Sequence, residues 1–275
     1  MISLCCAIIL YKMRLDESTA FSAIHTQALK CKDANIHIFI YDNSPTSDIT
    51  HIKYPYIHYQ HNADNPGLGY AYNAAAQYAH QEHLEWLLLL DQDTNIPDDF
   101  LQKYLKAIHN NTNIKLFVPH VFQSNGQELS PLRRWKAQSK QLITNQTYPI
   151  KQYLLINSGL CIQLKLFENS GGYDEKIRVD FADTQFVRKL LHAGEQTFYL
   201  LNCKCLQNFS NDETELNKLK KRFQIYLENA NNCKFIDFGD WLFRQYCIIS
   251  HTFSLVKRTH NIYFLKQLII NMLRR

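Results

Sequence analysis

The stretch Leu87-Leu88-Leu89-Leu90-Asp91-Gln92-Asp93-Thr94 decides the fold. Four consecutive leucines predict a strand that is buried on both faces, as in the centre of a parallel sheet. The run stops at two aspartates, and open α/β sheets bind their ligands at the carboxyl ends of their strands. Side chains i and i+2 of an extended segment point the same way, so Asp91 and Asp93 are candidates to hold one cation. The residues alone leave a second interpretation open, in which Asp93 and Thr94 cap a helix that begins near Pro97.

The segments before this stretch predict alternating strands and helices. Residues 2–10, 36–41 and 57–60 are apolar runs typical of strands. Residues 15–30 have helical periodicity, and residues 70–83 form an alanine-rich helix. A strand, a helix and a strand within about forty residues are a βαβ unit, so the first two strands should be parallel.

The segments after it predict further strands and helices and then a change of character. The stretch is followed by a helix at 100–108, a strand at 114–118 that Pro119 stops, a polar and irregular region at 122–147, a helix at 184–192, a strand at 196–201, and helices at 212–232 and 239–275. Together these elements predict an α/β fold with a mostly parallel central sheet flanked by helices, followed by a helical extension.

The composition is that of an ordinary globular protein. The chain has 275 residues, of which 46% are hydrophobic and 20% are charged, enough for one large α/β domain with an appendage. No charged and then apolar leader opens it, and no apolar run approaches the roughly 18 residues of a membrane span, so we expect a cytoplasmic protein. Eight cysteines without a CxxC pair favour free, mostly buried thiols.

The net charge of +5 is concentrated at the end of the chain. Residues 241–275 contain six Lys or Arg and no Asp or Glu, which leaves the rest near neutral. A helix of large apolar residues with cations can lie on the inner face of an anionic membrane, or it can pack on the body or a second subunit, and both interpretations stay open. Nucleic-acid binding is not expected, because the body is not basic and contains no recognised module.

Polar groups follow four of the predicted strands. They are Tyr11, the pair Asp42 and Asn43, the turn that holds Asn65, Gly67 and Gly69, and the pair Asp91 and Asp93. In a parallel sheet these groups meet at one edge and face one crevice. Carboxylates beside a phosphate-binding turn suggest Mg²⁺ or Mn²⁺ with a nucleotide-activated substrate.

Two further features allow more than one interpretation. Asp180 and Asp183 precede a helix and can either cap it or take a proton from a hydroxyl group as a general base. The cluster Arg133-Arg134-Trp135-Lys136 can contact a phosphate or a sugar ring, or it can lie in a solvated loop.

In this order the motifs resemble the inverting glycosyltransferases of family 2, which have the nucleotide-diphospho-sugar transferase (GT-A) fold, and within them the rhamnosyltransferase-like branch. The resemblance covers about residues 3–205. The segments that carry it are Ala7–Tyr11, Tyr41-Asp42-Asn43-Ser44, Asn65–Asn73, Leu90-Asp91-Gln92-Asp93, Asn157-Ser158-Gly159 with Gly172-Tyr173-Asp174-Glu175, and Asp180-Phe181-Ala182-Asp183 before Gly194.

The resemblance implies a role for each motif. It implies a nucleotide-diphosphate sugar donor of the UDP or dTDP type, a glycan or lipid-linked acceptor, and a divalent cation, Mg²⁺ or Mn²⁺. It assigns the cation to Asp91 and Asp93, the catalytic base to Asp183, the acceptor side to Ser158, Gly159 and Asp180, and the donor to Tyr11, Asp42, Asn43, Asn65, Gly67, Gly69, Asn73 and Gln92.

The chain departs from the family pattern at four positions. Gln185 stands where the family usually has an acid, and Lys189 where it favours Arg, with Arg188 one position early. Gln207 lies where related chains often have a His near the metal, and Glu228 replaces an Arg before Asn. These changes imply weaker metal or donor binding, a variant donor site, or an inactive relative.

We therefore predict a catalytic GT-A domain at 1–205 and a helical extension at 206–275 that associates with a membrane or a partner. Two other functions stay open. A sugar-phosphate nucleotidyltransferase should have a Gly- and Arg-rich loop after the first strand, and residues 11–15 contain no glycine. A non-catalytic membrane-associated relative on the same scaffold should release no nucleoside diphosphate from any activated sugar.

Overall fold

Strands and helices are mixed up to Leu206, and the elements that the structure describes after it are helices. The computed structural model describes residues 1–47, 54–135, 141–207 and 215–273. The strands are β1 Ile2–Leu10, β2 Ala34–Asp42, β3 Ile57–His61, β4 Trp86–Asp91, β5 Leu116–Phe122, β6 Glu128–Ser130, β7 Leu132–Arg133, β8 Gln146–Pro149, β9 Tyr153–Leu154, β10 Cys161–Gln163 and β11 Thr197–Leu206. The α-helices are α1 Thr19–Ala28, α2 Leu68–Gln81, α3 Phe100–Asn110, α4 Leu164–Asn169, α5 Ala182–His192, α6 Leu216–Asn232, α7 Phe238–Thr259 and α8 Tyr263–Leu273.

The central sheet has the strand order β3-β2-β1-β4-β10-β5-β11-β8, with β6 paired to β5. Strands β3, β2, β1 and β4 are parallel, which confirms the predicted βαβ unit. Strand β10 runs antiparallel to β4 and to β5, so the second half of the sheet is mixed. Ile9 is level with Asp91, and Leu10 is level with Asp42, so the ends of β1, β2 and β4 meet at one edge.

Strand β4 is buried on both faces, as its leucines predict. Leu87 and Leu89 point into the apolar layer that includes the alanines of α2. Leu88 and Leu90 point into the opposite layer, with residues of α1 and α3. All four side chains are 0% exposed. Because burying each leucine contributes about 1.5–3 kcal/mol, this strand anchors the aspartates that follow it.

The predicted helix over 15–30 begins later than its periodicity indicated. A short 3-10 turn occupies Leu15–Glu17, and α1 starts after Ser18. The Ser18 hydroxyl accepts a hydrogen bond from the amide of Phe21 at 3.1 Å and donates one to the carbonyl of Gln92 at 2.7 Å. Ser18 therefore caps the helix and ties its start to the end of β4.

The prediction that Pro119 stops a strand was wrong. Strand β5 continues through Pro119 to Phe122. Its register with β11 shifts between Leu200 and Lys204, opposite the proline, so the ladder is interrupted where proline offers no N–H. The region at 122–147 was predicted to be irregular, but it holds the short strand β6, strand β7 and the start of β8; residues 136–140 lie outside the described residues.

The last three helices pack on one another. Phe223 of α6, Ile248 of α7 and Phe264 of α8 belong to an apolar cluster that is separate from the two layers on the sheet. The two predicted helical regions are present, although the predicted start at Asp212 lies outside the described residues. Among the described helices, none is long and apolar enough to cross a membrane. All eight cysteines are free, and five are buried, as predicted.

Candidate functional site

Asp91 ends β4 with both carboxylate oxygens engaged. Its Oδ1 accepts a hydrogen bond from Asn157 at 2.9 Å and lies 3.4 Å from the Tyr72 hydroxyl, and its Oδ2 accepts one from Ser158 at 2.6 Å. Burial raises the pKa of Asp91, and the charge of Asp93 raises it further, while the three donors lower it. The carboxylate is therefore held in one orientation by groups from α2 and from the loop before β10.

Asp93 lies in a tight turn and not in an extended segment. The amide of Thr94 donates to the carbonyl of Asp91 at 3.2 Å, which closes the turn. Asp93 Oδ1 accepts a hydrogen bond from the amide nitrogen of Gln207 at 2.7 Å, and the Gln207 oxygen accepts one from Thr94 at 2.8 Å. Burial also raises the pKa of Asp93.

The interpretation of Asp93 and Thr94 as a helix cap was wrong. The next helix, α3, begins at Phe100, and Asp99 is its N-cap residue. The two aspartates of this stretch are therefore not used to start a helix.

Asp183 lies in the first turn of α5 and close enough to Asp91 to repel it. Burial raises the pKa of Asp183 to about 8, and the Asp91 charge adds to the shift. Its Oδ1 is buried and accepts no hydrogen bond from any residue that the structure describes. A carboxylate with a free lone pair and a pKa near neutrality is suited to accept a proton. We call the region around Asp91, Asp93 and Asp183 the strand-end crevice.

Tyr11 and Gln92 join the ends of β1 and β4. The backbone amide of Tyr11 donates to the Gln92 side-chain oxygen at 2.7 Å, and the Gln92 amide donates to the Tyr11 carbonyl at 3.2 Å. Tyr11 is 43% exposed, and the Lys12 ammonium lies over its ring, 5.2 Å from the centroid. Gln92 thus has a structural use already, and its assignment to the donor stays a prediction.

Asp42 and Asn43 end β2 and are buried. Asp42 accepts hydrogen bonds from the Ser44 amide at 2.8 Å and from the Tyr59 hydroxyl at 2.7 Å. Asn43 Oδ1 is buried and has no hydrogen-bond partner among the described residues. Of these two predicted donor-binding residues, Asn43 has the oxygen that is still available.

The glycines of the predicted phosphate turn lie against a neighbouring segment of the chain. Gly67 has a φ of 105°, and a Cβ there would lie 3.0 Å from the Cα of Arg178. A Cβ on Gly69 would lie 3.1 Å from that of Tyr173. Close packing therefore accounts for both glycines. Asn65, with a φ of 47°, makes the bend before them, and the donor roles of all three stay predictions.

Asn73 connects α2 to the turn that carries Tyr173. Its oxygen accepts from the Tyr173 amide at 2.9 Å, and its nitrogen donates to the Tyr173 carbonyl and to Glu175 at 3.1 and 2.9 Å. A Cβ on Gly172 would lie 2.5 Å from the same oxygen. Asn73 therefore positions the wall of the crevice, and contact with a donor stays a prediction.

The predicted acceptor-side residues divide into two groups. Ser158 binds Asp91, as described above, and Gly159 follows it with a φ of 88°, packed on Pro119. Asp180 points elsewhere, since Arg222 of α6 holds both of its oxygens in a bidentate ion pair, one contact of which is 2.9 Å long. Asp180 is also not the cap of α5, whose N-cap residue is Phe181.

The structure shows where the residues that depart from the family pattern lie and what they contact. Gln185 is buried in α5. Lys189 donates to the carbonyls of Gly171, at 2.8 Å, and Gly172, which steadies that turn. Gln207 holds Asp93, while Glu228 is exposed and Asn229 accepts a hydrogen bond from the Arg178 amide at 3.1 Å. Residues 208–214, which follow Gln207, lie outside the described residues.

Tyr72 and Asn157 contribute to the site more than the sequence indicated. Asn157 donates to the Tyr72 hydroxyl at 2.7 Å as well as to Asp91. Both residues stand inside recognised motifs, but neither was assigned a role. Helical spacing marks Tyr72 as a core residue, and only the tertiary contact shows that its hydroxyl reaches a carboxylate.

The described residues supply only some of the ligands that a divalent cation needs. Among the described residues, no group of three or more His, Cys, Asp or Glu is arranged to hold a metal. Asp91 and Asp93 are two mutually repelling carboxylates whose pKa values are raised, so a cation beside them would relieve an existing electrostatic cost. Mg²⁺ is commonly held by one or two carboxylates with substrate phosphates and water, and this pair fits that description.

One family model matches the chain, and one curated relative is similar to part of it. The model of glycosyl transferase family 2 matches residues 19–169, more than half of the chain. A dTDP-rhamnosyl transferase of Shigella flexneri, RfbF, is 27% identical over 133 residues, which are 47% of this chain and 45% of that protein. The chain thus spans less than half the length of this relative.

Solved structures show the same fold. The crystal structure of S. aureus TarS 1–349 in complex with UDP-GlcNAc superposes with a TM-score of 0.57 at 11% identity, covering 89% of this chain and 71% of that one. A further TarS structure gives a TM-score of 0.53 at 13% identity, over 85% of this chain and 40% of that one. The fold is therefore GT-A, as predicted.

Proposed function

This chain belongs to glycosyl transferase family 2, and on that basis we propose that it is an inverting glycosyltransferase of cell-surface polysaccharide synthesis. It moves a sugar from a nucleotide-diphosphate donor to a hydroxyl group of a glycan or a lipid-linked acceptor. The observation that carries the proposal is the position of Asp183, whose buried oxygen has no hydrogen-bond partner among the described residues and which lies close enough to Asp91 to feel its charge.

The donor is a dTDP- or UDP-linked sugar, with dTDP-rhamnose the first to test. The likeness to a dTDP-rhamnosyl transferase supports this choice, and the UDP-GlcNAc bound to TarS supports the wider class. The donor lies across the ends of β1 to β4. The exposed ring of Tyr11 and the buried oxygen of Asn43 are the groups most available to its base.

Asp183 is the general base in this proposal. Burial and the Asp91 charge oppose ionisation and raise its pKa, while a hydrogen bond from the Asn157 backbone favours the ionised form and lowers it. The balance leaves the pKa near 8, where a carboxylate both accepts and releases a proton readily. Asp183 takes the proton of the acceptor hydroxyl as that oxygen attacks the anomeric carbon from the side opposite the leaving diphosphate, which inverts the centre.

Asp91 and Asp93 are the proposed ligands of a divalent cation, Mg²⁺ or Mn²⁺. When bound, the cation neutralises charge on the leaving diphosphate. Tyr72, Asn157 and Ser158 orient Asp91, and Gln207 orients Asp93, in the way that neighbouring donors orient metal-binding carboxylates. Transfer that persists undiminished in excess chelator, from protein shown to contain no metal, would argue against this assignment.

The experiment that tests the proposal replaces the base. Asp183→Asn keeps the size of the side chain, so it should lower turnover by about 10²- to 10⁴-fold and leave nucleotide binding unchanged. Release of nucleoside diphosphate from dTDP-rhamnose and a panel of UDP-sugars measures the rate, and calorimetry with dTDP and UDP measures binding. Asp99→Asn, at an exposed aspartate before α3, is the control. Full activity of Asp183→Asn would remove Asp183 from the role of base.

We also propose that residues 1–205 form the catalytic domain and that the extension at 206–275 brings it to the cytoplasmic face of a membrane. Helix α7 exposes Phe238, Leu242, Tyr246 and Phe253 along one stripe, and the last turn of this helix carries Lys257 and Arg258. Cosedimentation with vesicles of anionic lipid, and not with neutral ones, should be lost when Phe238 and Leu242 are both changed to Ser. Equal binding by this double variant would exclude the stripe as the contact.

A further inference from the structure

A second concave site lies beside α5, on the far side of the helix from the crevice. It is small, with a cavity volume of about 30 Å³, lies between α5 and the start of α7, and includes Thr184 and Gln185, the two residues after Asp183. Three arginines from three parts of the chain line it, and we call it the arginine cleft. They are Arg134, Arg188 and Arg244.

All three arginines are more than nine-tenths buried, which is costly for a cation that is not compensated. The buried carboxylate beside them is Asp240, whose Oδ1 lies 2.5 Å from Arg134 Nη2 and 2.8 Å from Arg188 Nε. Asp237, which is partly exposed, lies 3.3 Å from Arg188 Nη2. Arg134 and Arg188 thus share the buried carboxylate, and Arg188 has a second, longer contact with Asp237.

Individual hydrogen-bonding atoms are also left over. Arg134 Nε and Arg188 Nη1 are buried and have no hydrogen-bond partner in the part of the chain that the structure describes. Asp240 Oδ2 is also buried and has no hydrogen-bond partner among the described residues, so these atoms are two donors and one acceptor. Buried polar groups of native proteins are paired with few exceptions, and several in one cleft indicate a ligand.

The neighbours of the arginines argue against a purely structural ion pair. Arg133 and Arg134 are adjacent in the sequence, but Arg133 is exposed and Arg134 is turned into the cleft, 4.7 Å above the ring of Phe243. Gln185, where the family pattern has an acid, lines the same cleft and adds no negative charge. The lining therefore lacks the carboxylate that the family pattern would place beside these guanidinium groups.

We propose that the arginine cleft binds a phosphate or diphosphate group of the acceptor, and so holds the acceptor beside the catalytic base. Guanidinium groups recognise such oxyanions through paired, charge-assisted hydrogen bonds, and two of them already have donors to give. Asp240 Oδ2 accepts a hydrogen bond from a hydroxyl group next to the phosphate. The identification of the ligand as the acceptor rests on the proposed function. The binding of the anion does not, because the cleft binds it whether or not transfer occurs.

Binding of simple anions to the whole chain tests the proposal without any need for turnover. Calorimetric titrations use inorganic phosphate, glycerol 3-phosphate and geranyl diphosphate, each with dTDP present in excess to fill the donor site. Arg188→Gln should weaken the binding of these anions by at least about tenfold. Arg133→Gln is the matched control and should leave it unchanged.

A second variant separates binding from folding. Gln185→Glu places a carboxylate against the unpartnered guanidinium atoms, so it should keep or raise the melting temperature while it weakens anion binding at least about tenfold. Preference for geranyl diphosphate identifies a lipid-linked source of the phosphate, and preference for glycerol 3-phosphate identifies a polymer backbone. Anion binding that is absent from the unchanged chain, or equal in Gln185→Glu and the unchanged chain, overturns the proposal. Failure of dTDP to bind in a separate titration counts against the donor site alone.

Discussion

The strand-end crevice and the arginine cleft both bury charge, but they do so with opposite signs. In the crevice burial raises the pKa of Asp91, Asp93 and Asp183, and Asp91 lies close enough to each of the other two for their charges to repel. In the cleft Arg134 and Arg188 share one carboxylate oxygen of Asp240. Helix α5 connects the two regions, with Asp183 on one side and Arg188 on the other.

The difference shows what each region lacks. Repulsion between the crevice carboxylates is relieved by a proton or a cation, so the region is prepared for a base and a metal-bound diphosphate. The unpaired donors of the cleft are relieved by an anion. The phosphate of the acceptor would thus bind on the far side of α5 from the nucleotide-sugar, while the hydroxyl group of the acceptor reaches Asp183.

The largest loss of stability is expected from the removal of Asp240, the buried carboxylate of the arginine cleft. Asp240→Ala leaves Arg134 and Arg188 without their shared partner, and removing one member of a buried ion pair costs about 3–5 kcal/mol of unfolding free energy. Urea unfolding measures it. Asp237→Ala is the control, because Asp237 is partly exposed and mainly caps α7, which is worth about 1 kcal/mol. If both variants lose the same stability, the buried pair does not hold the two helices together.

The sequence predicts the crevice better than the cleft, for a physical reason. The leucines of β4 and the aspartate after them are local in the chain, so strand, strand end and carboxylate follow from one stretch. The cleft brings together Arg134, Arg188 and Arg244 from distant segments, and no local pattern announces that contact. The sequence draws attention to Arg133 and Arg134, but only the fold shows that Arg133 is exposed and Arg134 is buried.

Local details also escaped prediction where tertiary contacts override propensity. Pro119 indicated the end of a strand, yet β5 passes through it because the pairing with β11 skips that position. The spacing of Asp91 and Asp93 indicated an extended pair, whereas the Thr94 amide closes a turn between them. The residues of the site were thus identified more reliably than their geometry.

A smaller effect is expected from a single hydroxyl group of the crevice. Tyr72→Phe removes a partner of Asn157 and a neighbour of Asp91, which should cost about 1 kcal/mol of unfolding free energy. Because the Tyr72 hydroxyl lowers the pKa of Asp91, its loss should raise that pKa further. Carbon NMR titration of the carboxylate measures the change. Tyr104→Phe removes a buried hydroxyl that binds the carbonyl of Gly159, so it should cost similar stability and leave the pKa of Asp91 unchanged.

The last comparison uses the sign of the pH dependence, and not its size, to separate the crevice from the helices at the end of the chain. The pKa of Asp183 rises from 3.8 to about 8 on folding, so the folded state binds the extra proton and stability falls as pH rises through this window. His251 of α7 is the opposite case. Burial lowers its pKa below 6.5, so the unfolded state binds the proton and stability falls as pH drops below 6.5.

Urea unfolding from pH 5 to pH 8 distinguishes the two groups by their variants. Relative to the unchanged chain, Asp183→Asn should gain stability progressively as the pH rises toward 8, since the amide resembles the protonated acid. His251→Asn should instead gain relative stability as the pH falls below 6.5, because the penalty for keeping this imidazole neutral is gone. If the difference in unfolding free energy between variant and unchanged chain has the same slope against pH for both variants, then burial does not shift the two pKa values in the directions given above.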